Sequence, residues 1–420
     1  MVYILLGVAG TLLVTLVILN LLPQEKQIAH DLQQVSAVDS RQFRNEVSSM
    51  LGPTVLDGNS VQDFQNGGEY FPAMLEAIRH ARRSIDLETY IYWSGEVSEC
   101  FVKALSERAR AGIPVHVLVD WIGASKMDED VIARLREAGV KFRYFHPLSW
   151  YSIDRLNNRT HRKLLIVDGT VGFTGGAGIA DAWDGHGQQP DHWRDMEFRV
   201  AGPVASQMQA VFEDNWITTT GEVLLGTDYY PRQTPEGNTP MQMFSSSPEG
   251  GSENLQLMYL MAIHGARHSI DLEAAYFIPD KLTRKALREA MARGVKLRIV
   301  VPGPHHDASY THDASREAWG GMLEAGATIY RYQPSLFHNK MMIVDHYLTM
   351  VGSANFDNRS FKLNDEANLN IYDRDFAEHM TDIVDADIVR SKPTSLSQWQ
   401  KRPWTRKFKD WMWSLTDSQL

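Results

Sequence analysis

The chain has 420 residues, 43% hydrophobic and 22% charged, which excludes a disordered chain and favours two domains or a duplicated one over a single core. The formal net charge of −10 gives no general attraction to nucleic acid, although a local basic cleft stays possible. The single cysteine, Cys100, excludes an intrachain disulfide framework and a cysteine-rich metal site.

An uncharged run at residues 2–22 has the length of roughly 20 residues that a helix needs to cross a bilayer. No basic segment precedes it and no clear cleavage site follows, so residues 1–24 are predicted to be a retained membrane anchor. A signal peptide and a buried helix are the alternatives. Lys26, Arg41 and Arg44 follow, all three within a predicted linker or juxtamembrane segment at 25–59. The positive-inside rule then favours a single-pass protein of the cell membrane, with its main body on the cytoplasmic side.

Three sequence blocks occur twice along the chain, in the same order each time. The matching pairs are residues 77–88 and 262–273, 110–119 and 293–301, and 137–144 and 324–331. Self-similarity of this kind indicates that one structural unit has been duplicated. We predict a first repeat at residues 60–226, a connector rich in Pro, Gly, Ser and Thr at 227–250, and a second repeat at 251–392.

Helix and strand patterns alternate within each repeat. In the first, an amphipathic helix at 74–83 precedes an apolar strand at 84–93, and a second helix at 97–111 ends at Gly112. A continuous apolar run at 115–119 is typical of a strand that is buried on both faces. These patterns predict an α/β fold, built from two tandem helix-flanked β-sheets that are related by pseudo-twofold symmetry.

A His-x-Lys-x-x-x-x-Asp motif lies at matching positions of the two repeats. It supplies the candidate catalytic residues His161, Lys163, Asp168, His338, Lys340 and Asp345. The apolar residues after each lysine predict a strand, on which a histidine and a lysine two positions apart share a face. Neutral imidazole can attack phosphorus, protonated imidazole can protonate a leaving oxygen, and ammonium can bind phosphoryl oxygens. One motif supplies half a site, so the two together predict a single pocket that cleaves phosphodiesters.

Longer signatures surround both motifs. They read HRKLLIVDG, GFTGG and WRDMEFRVAGP in the first repeat, and FHNKMMIVD and VGSANFDNRSFKLNDEANL in the second. Together with the duplication, these signatures resemble the phospholipase D superfamily and, within it, the bacterial cardiolipin synthases. The resemblance covers nearly everything outside the two ends of the chain. It is specific for the superfamily and discriminates less well among the substrates.

The resemblance implies a two-step reaction through a phosphohistidine, without a metal or another cofactor. By position, His161 is expected to be the nucleophile and His338 the general acid. Asp195 and Glu366 are expected to bond the far imidazole nitrogens and orient the rings, as the acid of a catalytic triad does. The residues expected to bind the phosphoryl group are Lys163, Lys340, Ser353 and Asn355.

The two repeats differ at one position of the implied site. The family usually carries an asparagine three residues beyond the first glycine in both copies; here the second repeat has Asn355, but the first has Gly178. A water or a backbone N–H would then replace one phosphate-binding amide. Asp168 and Asp345 end the predicted strands and are expected to bond local structure.

Histidines and aspartates cluster at residues 305–313 in a way that imitates a metal site. Because they show no firm helical or strand register, we interpret them as a polar loop at the mouth of the active site, without a metal. Ser315 and Arg316 follow and also fit the family pattern, so either is a candidate for contact with the substrate.

Residues 393–420 form a basic and aromatic tail. Trp404, Phe408, Trp411 and Met412 recur at helical spacing, with lysines and arginines beside them. Such a helix is typical of a segment that lies on an anionic membrane surface. Docking of the helix on the catalytic body is the alternative.

The favoured function is that of a cardiolipin synthase-like phosphatidyltransferase, which joins two phosphatidylglycerol molecules and releases glycerol. A phospholipase D hydrolase would differ only in admitting water as the acceptor. A membrane-anchored nuclease is disfavoured by the net charge of −10, so a phospholipid and a membrane, and not a nucleic acid, are the expected partners. A membrane scaffold with a degenerate site is disfavoured because both motifs are intact.

Overall fold

The computed structural model describes residues 28, 30–147, 158–247 and 253–414, together with the isolated positions 3, 7, 10, 11 and 15. Apart from those isolated positions, the predicted membrane anchor at 1–24 lies outside the described residues. Within the described ranges, no helix is both long enough and apolar enough to cross a membrane.

Strands and helices alternate through the first half of the described chain. The strands are β1 (Leu56–Gln65), β2 (Ile85–Thr89), β3 (Val115–Asp120), β4 (Lys141–Phe145), β5 (Arg159–Thr160), β6 (Leu164–Val167), β7 (Val171–Gly175) and β8 (Met196–Ala201). The helices are α1 (Arg41–Leu51), α2 (Gly67–His80), α3 (Glu96–Arg110), α4 (Glu129–Glu137) and α5 (Val204–Thr220). A short 3₁₀ helix spans Asp181–Trp183.

The same alternation continues through the second half. The strands are β9 (Thr239–Ser246), β10 (Ser269–Ala274), β11 (Phe277–Ile278), β12 (Lys296–Pro302), β13 (Thr328–Tyr332), β14 (Lys340–Val344), β15 (Leu348–Gly352), β16 (Phe356–Asp357), β17 (Asn364–Tyr372) and β18 (Ser391–Thr394). The helices are α6 (Asn254–Gly265), α7 (Lys281–Ala292), α8 (Ser309–Glu324), α9 (Asn358–Lys362), α10 (Arg374–Val389), α11 (Leu396–Gln400) and α12 (Trp404–Ser414). The α/β class that the sequence predicts is therefore confirmed.

One sheet runs through both halves, in the order β4-β3-β2-β6-β7-β8-β1-β9-β17-β15-β14-β10-β12-β13-β18. β1 and β9 pair antiparallel near its centre. Moving outward from that pair, each strand of the first half meets a counterpart in the second, ending with β4 on one side and β13 on the other. The order therefore has the pseudo-twofold symmetry that the sequence predicts, with β18 added beyond β13 at one edge.

Buried apolar residues explain why the repeated blocks match. Ile85 and Leu87 of β2 pack into a core of the first half, and Ile270 and Leu272 of β10 pack into a matching core of the second. A third core is shared, since it takes apolar side chains from strands of both halves. Because full burial of one such side chain contributes about 1.5–3 kcal/mol, this shared core holds the halves as one body.

The structure refines the predicted domain boundaries. Helix α1 lies within the predicted linker at 25–59, and strand β9 lies within the predicted connector at 227–250. The composition of the connector hides β9, but Met241 and Met243 are fully buried and the strand pairs with β1 and β17. The connector proper is thus shorter, and the strand after it joins the two halves of the sheet.

The tail helix α12 docks on the body through its polar side. Asp410 is fully buried and bonds the guanidinium groups of Arg316 and Arg402. On the opposite side, Trp404 and Phe408 remain 77% and 56% exposed. The helix is therefore docked on the body while its aromatic stripe stays exposed. The buried carboxylate of Asp410, and not the stripe, holds the helix in place.

Candidate active site

The two lysines of the motifs stand at the beginning of matching strands. Lys163 directly precedes β6, and Lys340 is the first residue of β14. The ammonium of Lys163 donates to the carbonyl of His161 at 2.8 Å, and that of Lys340 donates to the carbonyl of His338 at 2.7 Å. Each motif therefore folds its lysine back beside its own histidine.

Backbone pairing carries each histidine into the opposite half of the molecule. Strand β5, just before His161, pairs in parallel with β17 of the second half, and the amide of His161 donates to the carbonyl of Asp365 at 2.8 Å. Symmetrically, the amide of His338 donates to the carbonyl of Arg194 at 2.8 Å. The loop of each motif is thus bonded to the segment that carries the acidic residue of the other repeat.

This exchange pairs the histidines and acids crosswise. Nδ1 of His161 lies 3.0 Å from Oε1 of Glu366, and Nδ1 of His338 lies 2.7 Å from Oδ2 of Asp195. Sequence reasoning identifies both acids as partners of the imidazoles but not which acid serves which ring. Since Nδ1 is engaged in both cases, Nε2 is the nitrogen left for chemistry at each histidine.

The two acids are held by different donors. Glu366 accepts a hydrogen bond from the hydroxyl of Ser353. Asp195 accepts one from the indole N–H of Trp183 at 2.8 Å and another from the amide of Met196 at 2.9 Å. Buried carboxylates need such donors to stay ionised, so these contacts fix both the charge and the direction of each acid.

Two buried lysine ammonium groups make the site favourable for binding an anion. Lys163 and Lys340 are only 4% and 6% exposed. Burial, together with the nearby charge of Lys340, lowers the pKa of Lys163 to about 7. Burial likewise lowers the pKa of Lys340. A bound phosphodiester would relieve this repulsion, because its negative charge pairs with both ammonium groups.

Burial also favours the neutral form of both imidazoles. It lowers the pKa of His161 to about 4, against the opposing charge of Glu366. It lowers the pKa of His338 as well, and there the next cause is the ammonium of Lys340. Glu366 is itself desolvated, yet its contact with His161 and the charge of Lys163 bring its pKa down to about 2, so the carboxylate is ionised.

Aromatic rings form the walls around both histidines. Tyr90 packs edge-on against His161 with ring centres 5.2 Å apart. Trp183 and Trp193 pack on His338 at 5.4 and 5.2 Å. Sequence reasoning missed these rings, although Trp193 belongs to the WRD signature and Tyr90 directly follows the repeated β2 block.

The motif aspartates do not join the pocket. Asp168 accepts backbone amides of residues 82–84, and Asp345 accepts those of residues 267–269, at distances of 2.6–3.2 Å. Both sit in the left-handed region, with φ of 56° and 52°. The geometry agrees with the interpretation of these aspartates as local structural residues, which fix the turns that precede β2 and β10.

The asymmetry between Gly178 and Asn355 is built into the packing. Oδ1 of Asn355 is buried and has no hydrogen-bond partner among the described residues, as expected of a group that awaits a ligand. A Cβ at Gly178 would lie 2.8 Å from Cβ of Ile91, so a side chain there needs the neighbouring segment to move. The first half therefore cannot present the same amide without repacking.

The predicted polar loop is shorter than the cluster at residues 305–313. Asp307 lies in a non-helical segment and accepts a hydrogen bond from the hydroxyl of Tyr276. His312 and Asp313 instead belong to α8, where Asp313 pairs with Arg316 one turn later. Ser315 accepts the indole N–H of Trp319, and Arg316 pairs with Asp313 and Asp410, so both candidates for substrate contact already have partners within the protein. Among the described residues, no group of three His, Cys, Asp or Glu could hold a metal.

Comparisons with known proteins agree with this architecture. The family described as "Cardiolipin synthase, PLD-like domain" matches residues 74–216 and 259–388. Cardiolipin synthase A of Pseudomonas fluorescens is 33% identical over 80% of this chain and 70% of its own length. The major cardiolipin synthase ClsA of Bacillus subtilis is 34% identical over 83% of this chain and 73% of its own.

Two solved structures share the fold at low sequence identity. Phosphatidylserine synthase of Haemophilus influenzae superposes with a TM-score of 0.66 at 13% identity, covering 90% of this chain and all of that one. Polyphosphate kinase of Porphyromonas gingivalis superposes with a TM-score of 0.54 at 13% identity, covering 94% of this chain and 57% of that one.

Proposed function

The chain belongs to the cardiolipin synthase family of phospholipase D-like proteins, and we propose that it transfers a phosphatidyl group between two phosphatidylglycerol molecules. The observation that carries this proposal is the crosswise site, with two imidazoles, two ammonium groups and two carboxylates buried together. Neutral and protonated imidazole are the two states that a double displacement at phosphorus needs.

In the first step, Nε2 of His161 attacks phosphorus, and the bond from phosphorus to the glycerol oxygen breaks. His338 donates the proton from its Nε2 to that oxygen, so glycerol leaves as a neutral alcohol. Glu366 stabilises the positive charge that develops on His161, as the acid of a catalytic triad stabilises its histidine. Lys163 and Lys340 hold the phosphoryl oxygens, and the negative charge of the bound phosphate favours the protonated form of His338.

In the second step, the hydroxyl of another phosphatidylglycerol attacks the same phosphorus. Its proton passes to Nε2 of His338, which acts as a base because it lost its own proton in the first step. The nitrogen–phosphorus bond then breaks, which frees His161 and releases cardiolipin. In both steps Asn355, two residues beyond Ser353, donates its NH₂ group to a phosphoryl oxygen.

A lipid substrate implies that the protein works at a membrane. The uncharged run at residues 2–22 supports an anchor, and Lys26, Arg41 and Arg44 support a cytoplasmic body. The exposed Trp404 and Phe408 of α12 support a second contact with the lipid surface. Tyr310 of α8 contacts this helix, since its ring packs on that of Trp413 of α12 at 5.8 Å.

The test uses purified full-length protein in mixed micelles of phosphatidylglycerol and a neutral detergent. We expect cardiolipin and free glycerol in equal amounts, and neither product from the His161→Ala variant. Phosphatidic acid as the sole lipid product would replace the transferase with a hydrolase that uses the same residues. Cleavage of single-stranded DNA at a comparable rate would favour a nuclease and contradict the proposal.

A further inference from the structure

A second cavity lies in the C-terminal half, where Gly303, Pro304 and His306 contribute to its lining, and none of the active-site residues described above lines it. Its volume is about 490 Å³, within the range of small-ligand sites. Five cationic side chains line it: Arg316, Arg331, Lys392, Arg402 and Arg406. No aspartate or glutamate is among the described residues that line it.

Two of these five cations already have anionic partners. Arg316 pairs with Asp313 at 2.9 Å and with Asp410 at 3.0 Å, and Arg402 also pairs with Asp410. These ion pairs hold α12 against α8 and build one wall of the cavity. Because Asp410 is already paired with Arg316 and Arg402, it does not neutralise the other three cations.

The remaining three, Arg331, Lys392 and Arg406, form no ion pair with any residue in the described part of the chain. Nε of Arg331 is buried without a hydrogen-bond partner, and so is the hydroxyl oxygen of Thr394 beside it. Buried donors left unpaired cost about 1–3 kcal/mol each, so this arrangement favours an occupant that supplies several acceptor oxygens.

The field inside the cavity is positive. Burial, together with the charges of Arg316 and His306, lowers the pKa of the lining residue His312 to about 3. His312 is therefore a neutral hydrogen-bonding group in a basic environment. Arg402 lies over the ring of Trp399 at 4.2 Å, which keeps a second guanidinium at the rim.

We propose that this cavity binds the phosphate group of an anionic ligand, and that the source is the headgroup of an anionic phospholipid. Arginine and lysine donors match phosphate oxygens, with the guanidinium fork able to engage two oxygens at once. Basic pockets next to a membrane recognise such headgroups. Arg406 lines the cavity from α12, on the side of the helix that also carries Asp410, and Trp404 and Phe408 of the same helix remain exposed and can contact a lipid surface.

This site is separate from the catalytic reaction but adjacent to it. His306 lines the cavity, and Asp307, the next residue, acts electrostatically on both His338 and Lys340. A headgroup bound against His306 therefore lies next to Asp307, whose charge influences the pKa values of His338 and Lys340. The proposal holds whichever acceptor the catalytic histidines use.

The test compares the full-length Arg331→Gln/Lys392→Gln variant with a charge-matched control, Lys103→Gln/Arg110→Gln, whose residues are exposed on α3. Equilibrium binding of inorganic phosphate and of glycerol phosphate is measured in neutral detergent, with all proteins in the Lys163→Met/Lys340→Met background to weaken binding at the catalytic site. We expect the cavity variant to bind both compounds about tenfold more weakly than the control, as the loss of two charged contacts requires.

A second arm measures binding of phosphatidylglycerol, with phosphatidylcholine as reference, in mixed micelles. Loss of phosphatidylglycerol binding together with phosphate binding supports the lipid headgroup as occupant. Loss of phosphate binding alone keeps the phosphate site but assigns it to a soluble compound and overturns the lipid source. Equal binding by the cavity variant and the control in both arms overturns the site. The exposed Arg406→Gln change repeats the test without touching the sheet, so a folding defect cannot mimic the result.

Discussion

The two halves of the molecule carry the same motif but hold its histidine in different surroundings. His161 meets one ring, that of Tyr90, and the next influence on its pKa after burial is the carboxylate of Glu366. His338 meets two indole rings, and the next influence after burial is the ammonium of Lys340. The first environment favours a neutral ring whose developing positive charge is stabilised, which suits a nucleophile.

The surroundings of His338 disfavour its protonation unless a phosphate anion is bound nearby. The ammonium of Lys340 lies 2.9 and 3.3 Å from the two ring nitrogens of His338, so a phosphate that pairs with Lys340 also makes protonation of His338 easier. We therefore propose that the duplication supplies the same residues twice and that local packing gives the two histidines different roles. Variants of the two halves should therefore differ in their effects, and the largest difference involves the two histidines.

The largest difference is expected between the two histidine variants when the leaving group is changed. With phosphatidylglycerol, His161→Ala and His338→Ala should each lower kcat by about 10⁴-fold or more, because each removes an essential proton or electron-pair step. With a p-nitrophenyl ester of phosphatidic acid, release of p-nitrophenolate needs no proton. The initial burst should then return to within about tenfold of wild type in His338→Ala only. A burst restored in His161→Ala instead would exchange the two roles.

The crosswise acids should give the next largest effect. Glu366→Gln and Asp195→Asn keep the size of the side chains but remove the charge opposite each imidazole, so kcat should fall by about 10²–10⁴-fold in both. Glu366→Gln should slow the burst with either leaving group, whereas Asp195→Asn should slow it only with the alcohol. Pre-steady-state kinetics on both substrates separate these patterns. Identical behaviour of the two variants would remove the distinction between the halves.

The pH profile should be bell-shaped, with limbs that report the histidine and the lysine of the first motif. Protonation of His161, whose pKa burial lowers to about 4, should reduce kcat/KM about tenfold per pH unit only below that value. Loss of the proton from Lys163, whose pKa lies at about 7 through burial and Lys340, should produce the alkaline limb. In Lys340→Met the alkaline limb should move to higher pH, because one cause of the lowered pKa is removed. An unmoved limb, or a flat profile from pH 5 to 9, contradicts this assignment.

The smallest effect is expected from the amide that only one half carries. Asn355→Ala should lower kcat about tenfold, the value of one lost hydrogen bond to a charged phosphoryl group. Gly178→Asn should not raise activity, and it should lower the melting temperature, because its Cβ would contact Ile91 at 2.8 Å. The double variant Gly178→Asn/Ile91→Gly removes the contacted Cβ, so in a thermal melt its loss of melting temperature should be smaller than the sum of the losses of the two single variants. A stable and more active Gly178→Asn single variant would contradict the packing argument.

Much of this fold and site can be predicted from the sequence, because the duplicated segments repeat the same apolar pattern and the same motif. The paired blocks predict two matching half-sheets, and the spacing of His161, Lys163 and their counterparts predicts one pocket. The crosswise pairing does not follow, since it depends on β5 bonding to β17 across more than 200 residues of chain. The contacts of Tyr90 and Trp183 with the histidines could not be predicted for the same reason. They are tertiary contacts, and no local periodicity in the sequence indicates them.

The tail shows the reverse case. Its helical stripe is visible in the sequence and predicts a helix on an anionic membrane surface, with docking on the catalytic body as the alternative. The structure buries Asp410 between Arg316 and Arg402 and leaves Trp404 outside. Partners for a single buried charge lie far away in the sequence, so composition could not reveal which face of α12 is docked.

The central claim, that one half supplies the nucleophile and the other the proton, is tested most directly by locating the covalent intermediate. His338→Ala protein is mixed with the p-nitrophenyl ester, quenched in alkali during the burst, digested and analysed by mass spectrometry. The account predicts a phosphatidyl group on His161. The Glu366→Gln change should reduce its amount, and the Lys103→Gln/Arg110→Gln control protein should be labelled at the same residue. A burst without any adduct on His161, or an adduct at another residue, would contradict the account.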